Sequence, residues 1–289
     1  MTIRTAFTTL SLLFSVSLAA AQAPNPSLLE TYVIRGGLSS DETTGLGSVS
    51  VAHYELSVGG RFLAGPDGFG VTGVNYRTYQ IDATGVVPVP KSLNEISVTL
   101  GWQRRFSPAW SMLTVLKPGL YGDFEEINGD SFNAPLLALA NYSTRPDLTW
   151  TFGLNVSAIG ENPVLPAIGV RWQFAPELTF NLAFPRTDVS WKVSEKLATS
   201  FGIRFEGGSY RVTENLGVPE AGVRRLANTY VGFTEIRVGV GVHYELNPGT
   251  KLEVEAGVMT DRKFDFYDRD YTLNGDAGTF FSVSLNNLF

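Results

Sequence analysis

Apolar and polar residues alternate strictly along several long runs of this chain, a spacing that suits a strand and no helix. Ile96, Val98, Leu100 and Trp102 are separated by Ser97, Thr99 and Gly101. Trp150, Phe152, Leu154 and Val156 alternate with Thr151, Gly153 and Asn155, and Ile236, Val238, Val240, Val242 and Tyr244 with Arg237, Gly239, Gly241 and His243. Period two places the two sets on opposite faces of a strand. Strands of soluble proteins average about five or six residues, whereas these runs approach the roughly ten that cross a bilayer at a tilt.

Hydropathy agrees with strands rather than helices in a membrane. Beyond residue 21 no segment approaches the roughly 20 apolar residues of a membrane helix, and mean hydropathy is only +0.04. A membrane β-barrel reconciles the two, because only every second residue meets lipid. Thirty glycines and fifteen prolines fit a turn-rich β protein. Residues 1–21 read as a secretory signal, with Arg4 at its start, an apolar stretch over 6–18 and Ala19-Ala20-Ala21 as the cleavage site before Gln22. Residues 22–289 then form one domain, and 22–30 are too few for a plug domain. Cleavage removes Arg4 and takes the formal net charge from −6 to −7. Nucleic acid is disfavoured as a partner, since phosphates call for clustered Lys and Arg. With no cysteine in the chain, disulfides and thiolate metal sites are excluded.

Two kinds of connection alternate along most of the sequence. Short turns occur at Gly65-Pro66-Asp67-Gly68, Ser107-Pro108-Ala109, Arg145-Pro146-Asp147, Ala175-Pro176-Glu177, Ser194-Glu195-Lys196 and Asn247-Pro248-Gly249. Proline presets the turn dihedral and cannot donate to a ladder. Longer polar connections are expected at 41–48, 82–92, 123–133, 211–225 and 263–278. Transmembrane barrels have this asymmetry, with short periplasmic turns and long external loops. If 31–39 is the first strand and 279–289 the last, both termini are periplasmic and the antiparallel up-and-down barrel has about fourteen strands. The weakest hairpin, 178–184 with 187–193, turns at Pro185-Arg186, and dropping it leaves about twelve. Trp102, Trp110, Trp150, Trp172 and Trp191 all lie beside short turns, as an aromatic girdle at one membrane interface requires. In the last strand Phe281, Val283, Leu285 and Phe289 share a face. That strand is expected to close the sheet against the first and to carry the signal for the barrel-assembly machinery. Outer-membrane lipid and lipopolysaccharide are the expected surroundings.

The segment from Phe184-Pro185-Arg186 through Trp191, the run Gly207-Gly208-Ser209-Tyr210-Arg211 and the terminal Phe289 resemble a family of bacterial outer-membrane β-barrel proteins of unknown function. The resemblance covers the chain beyond the leader. It implies the barrel fold and the outer membrane, and it brings no catalytic residue.

Candidate chemistry lies on the polar faces. The two histidines sit in the same tetrapeptide, His53-Tyr54-Glu55-Leu56 and His243-Tyr244-Glu245-Leu246. A hydrolase acting on lipid or peptidoglycan would use such a histidine as base beside a serine nucleophile, but no spacing singles out a nucleophile. Arg204 and Glu206, Glu235 and Arg237, and Glu253 and Glu255 fall on the polar faces of three successive strands, and Glu55, Arg77, Arg171, Lys192 and His243 project from polar faces elsewhere. A charge facing lipid at mid-membrane costs about 2–4 kcal/mol, so these side chains are expected to line the interior. The reading is a passive, porin-like channel for small solutes, without a cofactor or a metal. Rivals are a structural barrel with a packed lumen, the hydrolase, and a secreted β-sandwich. Two acidic segments, one with Asp123, Glu125, Glu126 and Asp130, the other with Asp261, Asp265, Asp268, Asp270 and Asp276, match no calcium-loop spacing. Phe264, Phe266, Tyr267 and Tyr271 interleave the second, suited to packing on lipopolysaccharide or folding over the mouth.

Overall fold

The computed structural model describes residues 31–43, 46–65 and 67–288. The leader expected over 1–21, Pro66 of the first short turn and the terminal Phe289 lie outside the described residues. Fourteen strands close into one antiparallel barrel. They are β1 (Thr31–Thr43), β2 (Gly47–Leu63), β3 (Gly68–Ala83), β4 (Ser92–Arg105) and β5, interrupted at Pro118 (Trp110–Leu116 and Gly119–Gly122). Next come β6 (Phe132–Asn133 and Leu136–Arg145), β7 (Leu148–Val156), β8 (Val164–Ala175), β9 (Leu178–Leu182) and β10 (Arg186–Lys192). The last four are β11 (Leu197–Val212), β12 (Thr229–Asn247), β13 (Thr250–Phe266) and β14 (Tyr271–Gly275 and Gly278–Leu288). Each strand pairs with its sequence neighbours, and β14 returns to β1 from Thr31↔Leu288 to Ser40↔Thr279. The twelve-strand count is set aside, because β9 and β10 pair from Leu178↔Trp191 to Leu182↔Thr187 and each continues the sheet.

Three expected connections are corrected. Residues 41–48 are mostly strand, since β1 runs to Thr43 and β2 starts at Gly47. The 263–278 segment is a tall hairpin, paired from Arg262↔Gly275 to Phe266↔Tyr271 around a turn at 267–270. Its alternation sends Phe264, Phe266 and Leu273 into the interior, where all three are buried, and that burial stabilises strand over solvated loop. The external turn expected at Pro185-Arg186 lies at 183–185, and Arg186 already opens β10.

The barrel closes a second time at its long-loop end. β5 and β11 meet directly there, with Gly122 and Arg211 in parallel register. In an up-and-down barrel every neighbour is antiparallel, so a parallel contact between two odd-numbered strands means that an odd number of strands between them has stopped short. Strands β6–β10 end below this seam. Fourteen strands therefore surround the short-turn end and nine, β1–β5 and β11–β14, the other. Asp123 fastens the seam. Its N–H donates to the Arg211 carbonyl (2.9 Å), and its carboxylate accepts from the Thr213 N–H (2.7 Å), the Thr213 hydroxyl (2.9 Å) and the Glu214 N–H (2.8 Å). The interior of the narrow end is an apolar core built on Val51, Tyr79, Leu93, Val231, Phe233 and Phe266. Loop residues Val89, Ile159 and Leu226 are buried in it.

Gly122 permits the close approach, since a Cβ there would stand 2.9 Å from the Arg211 carbonyl oxygen. Gly122→Val should therefore spread the seam and cost about 1–3 kcal/mol, as overpacking does. Urea unfolding followed by the gel shift of the heated barrel measures it. Gly129→Ala, in the adjoining loop with nothing within 4 Å of its Cβ position, should leave the midpoint unchanged.

Candidate functional site: the charged lumen

Strand alternation and register together decide what faces inward. On β12 the odd residues Glu235, Arg237 and His243 enter the lumen, while Val240, Val242 and Tyr244 are exposed on the outer wall. On β4 the outward set is Ile96, Val98, Leu100 and Trp102, leaving Glu95 and Ser97 buried inside. The five tryptophans all stand on the outer face near the short turns, from 36% (Trp102) to 52% (Trp191) exposed, and Trp110 stacks on Tyr142 at 4.6 Å between centroids. Of the last-strand set, Phe281 and Val283 are likewise exposed.

The inward charges join into clusters. Glu235, 0% exposed, accepts from Arg237 Nε (2.8 Å) and from Arg262 Nε and Nη2 (2.9 and 2.7 Å). Arg262 also donates to the Val49 carbonyl (2.9 Å). Lower in the barrel, Glu253 lies 2.7 Å from Arg186 and 3.1 Å from Arg204, while Glu255 lies 3.2 and 2.8 Å from the same two guanidiniums. Arg186 also donates to Asp188, its neighbour on the same face of β10. Arg35 reaches Glu206 at 3.3 Å, and Arg77 bridges Glu55 at 3.3 Å and Glu95 at 3.6 Å. Charges removed from water need such multiple partners to offset their desolvation. Arg171 and Lys192 differ: both are exposed near the short-turn end and form no ion pair among the described residues. Arg186, Ser200, Arg204, Glu255 and Phe280 border a small recess that is open to solvent.

The histidines are placed differently from each other. His53 is fully buried, stacked on Tyr79 at 4.6 Å and 4.0 Å from Glu55. His243 Nε2 meets the Ser200 hydroxyl at 2.8 Å, with Glu253 3.7 Å from Nδ1. That order has the outline of a nucleophile, a base and a carboxylate. The carboxylate, however, is held by Arg186 and Arg204 and stands beyond hydrogen-bond reach of the imidazole. His243 therefore has a hydroxyl partner at Nε2, while the carboxylate nearest its Nδ1 is engaged by two guanidiniums.

Sequence reading passes over Arg35, Glu95, Arg186, Asp188 and Arg262. Glu95 only extends the Ser97, Thr99, Gly101 alternation by one step, and Arg35 sits opposite Glu55 in the β1–β2 register. Arg186 falls in an expected turn. Arg262 has no local signal: the register slips between Ile236↔Asp261 and Arg237↔Met259, leaving Thr260 as a bulge that reverses the parity of every later residue of β13. The opposite wall is apolar. Leu113↔Leu139 and Val115↔Leu137 are ladder pairs on the inner face of β5 and β6, the face on which a Cβ at Gly101 would meet Val115 and one at Gly153 would meet Leu139.

Glu235→Leu should be among the most damaging lumen substitutions, since it removes the carboxylate shared by two buried guanidiniums and costs about 3–5 kcal/mol. Arg171→Ala should leave the unfolding midpoint unchanged. Urea titration of the folded barrel distinguishes the two.

No curated protein matches the chain. Among solved structures, the COG4313 outer membrane channel from Pseudomonas putida F1 superposes with a TM-score of 0.50 at 7% identity, covering 94% of this chain and 100% of that one. A TodX monoaromatic hydrocarbon channel variant gives 0.46 at 8% identity, covering 92% and 91%. The translocator domain of the autotransporter NalP from Neisseria meningitidis gives 0.44 at 12% identity, covering 92% and 90%. Residues 71–276 match the domain of unknown function DUF6268, and the chain belongs to that family.

Proposed function

We propose that this protein is an outer-membrane β-barrel that acts as a channel for small solutes, charge-lined from its short-turn end and held shut by apolar packing at its long-loop end. The observation that carries the reading is the division of the wall: ionisable side chains gather inside while a continuous apolar band faces out. A soluble protein gains nothing from exposing Val240, Phe201 and Ile168, whereas a lipid-facing wall requires such residues. The fold shared with the Pseudomonas channel supports the same reading.

On this reading the tryptophans form the periplasmic interface belt, and lipopolysaccharide surrounds the long loops. The last strand delivers the chain to the assembly machinery. Glu55, Arg77, Arg204, Glu206, Glu253, Glu255 and His243 screen solutes in the vestibule, with Arg171 and Lys192 at its mouth. Glu235 and Arg237 are wall braces rather than free pore groups, being buried among their partners. The apolar core also supports the packed-barrel alternative, so conductance must decide.

Wild-type protein in planar bilayers should show small, infrequent openings. Leu226→Ala, which removes a fully buried side chain supplied by the 213–228 loop, should raise the open probability several-fold without altering the wall. Absence of current from both correctly folded proteins would leave a packed structural barrel. Separately, Val240→Arg should block assembly or cost about 2–4 kcal/mol in vesicles, as a cation at the bilayer midplane does.

A further inference from the structure

The wall between β8 and β11 is incomplete. β8 pairs with β9 only from Val170 onward, so residues 164–168 have no partner on that side among the described residues. β11 pairs with β10 up to Arg204 and with β5 at Arg211, so residues 206–210 likewise have none on theirs among the described residues. Among the described residues no ladder joins these two edges. The seam between Gly122 and Arg211 closes the opening above. Below, the 183–185 turn closes it, with the Phe205 N–H donating to the Pro185 carbonyl (2.8 Å) and Phe184 against Phe205 at 5.4 Å.

Two facing edges of five residues would ordinarily zip together. Here Pro166 lacks a donor on one edge, and Gly207, at φ +133°, twists the other. Both devices keep strand edges apart. The flank on the β8 side is apolar, with Ile168 and Phe184 each 68% exposed. The 157–163 loop crosses the opening. It is tied to β6 through Asn133, which donates to the Ser157 hydroxyl (3.0 Å) and accepts from the Ala158 N–H (3.2 Å). Ile159 is buried in the core, and Gly160 lies against Ser209 of β11, where a Cβ would stand 3.4 Å from the hydroxyl.

We infer that this window is a lateral portal through which single-chain amphiphiles pass between the lumen and the surrounding lipid, with Ile159 as its stopper. The inference rests on the channel reading above and names its substrate class. The route through the long-loop end is filled by the apolar core, whereas the window opens sideways at the top of the lipid-facing band. Within the lumen, Leu113, Val115, Leu137 and Leu139 offer a chain an apolar wall, and Arg186, the first residue beyond the sill, belongs to a charged cluster suited to a polar head.

The natural absence of cysteine makes the test direct. The full chain carrying Leu139→Cys is placed in phosphatidylethanolamine–phosphatidylglycerol vesicles. It is labelled either with N-dodecylmaleimide dissolved in the bilayer or with a water-soluble quaternary-ammonium maleimide. Adding Ile159→Ala should speed labelling by the lipid-borne reagent at least tenfold while changing the water-soluble rate less than twofold. Ile159→Val, which removes one methylene, should act in the same direction more weakly and serves if the alanine variant does not assemble. No acceleration, or an equal acceleration of both reagents, overturns the portal and leaves the channel intact. Failure of the water-soluble reagent to label the folded Leu139→Cys barrel removes the channel reading, and the portal with it.

Discussion

A β-sheet in a bilayer must satisfy every edge, because unpaired backbone groups in hydrocarbon cost several kcal/mol each. This chain meets that constraint at two closures and departs from it at the window between β8 and β11. The ladder between β1 and β14 closes the wide end in the ordinary way. The parallel contact of β5 with β11 closes the narrow end over the tops of five shorter strands. Everything else follows from those two closures. The nine-strand ring is small enough for its own side chains to fill, and the fourteen-strand end is wide enough to leave Arg171 and Lys192 in solvent.

Charge and apolar packing divide the interior accordingly. Near the short turns, arginines and glutamates pair across strands and remain partly accessible, as in the Arg186, Arg204, Glu253 and Glu255 cluster. Toward the seam, Glu235 with its two arginines stands beneath Tyr79, Phe233 and Phe264, and the core itself is built from apolar and aromatic side chains. Desolvation sets that order. An ion pair persists where each member has several partners, and aromatics take over where the bore narrows. On the proposed channel reading, apolar packing at the narrow end would hold the bore closed at rest.

The alternation of Ile236 to Tyr244 is enough to separate lipid-facing from inward residues, since period two follows from strand geometry alone. Proline-marked turns supply the strand count, because each fixes a reversal at one end. The acidic character of 263–278 misleads, as solvated loop and tall hairpin share a composition and only the burial of Phe264 and Phe266 distinguishes them. Of the site, most of the inward charges are legible individually, but their partners are not. Glu235 meets Arg262 only because of the bulge at Thr260, and Arg186 meets Glu253 only across three intervening strand contacts.

Local periodicity and turn chemistry, both written in the order of residues, dictate an all-β chain, the faces of its strands, the short-turn end and the inward placement of charge. Where five strands stop, that Gly122 touches Arg211, and that Ile159 is buried in the apolar core emerge only in the assembled barrel. Those features depend on register between strands far apart in sequence, and a non-local register is fixed by closure and packing of the whole sheet rather than by any residue's own preference.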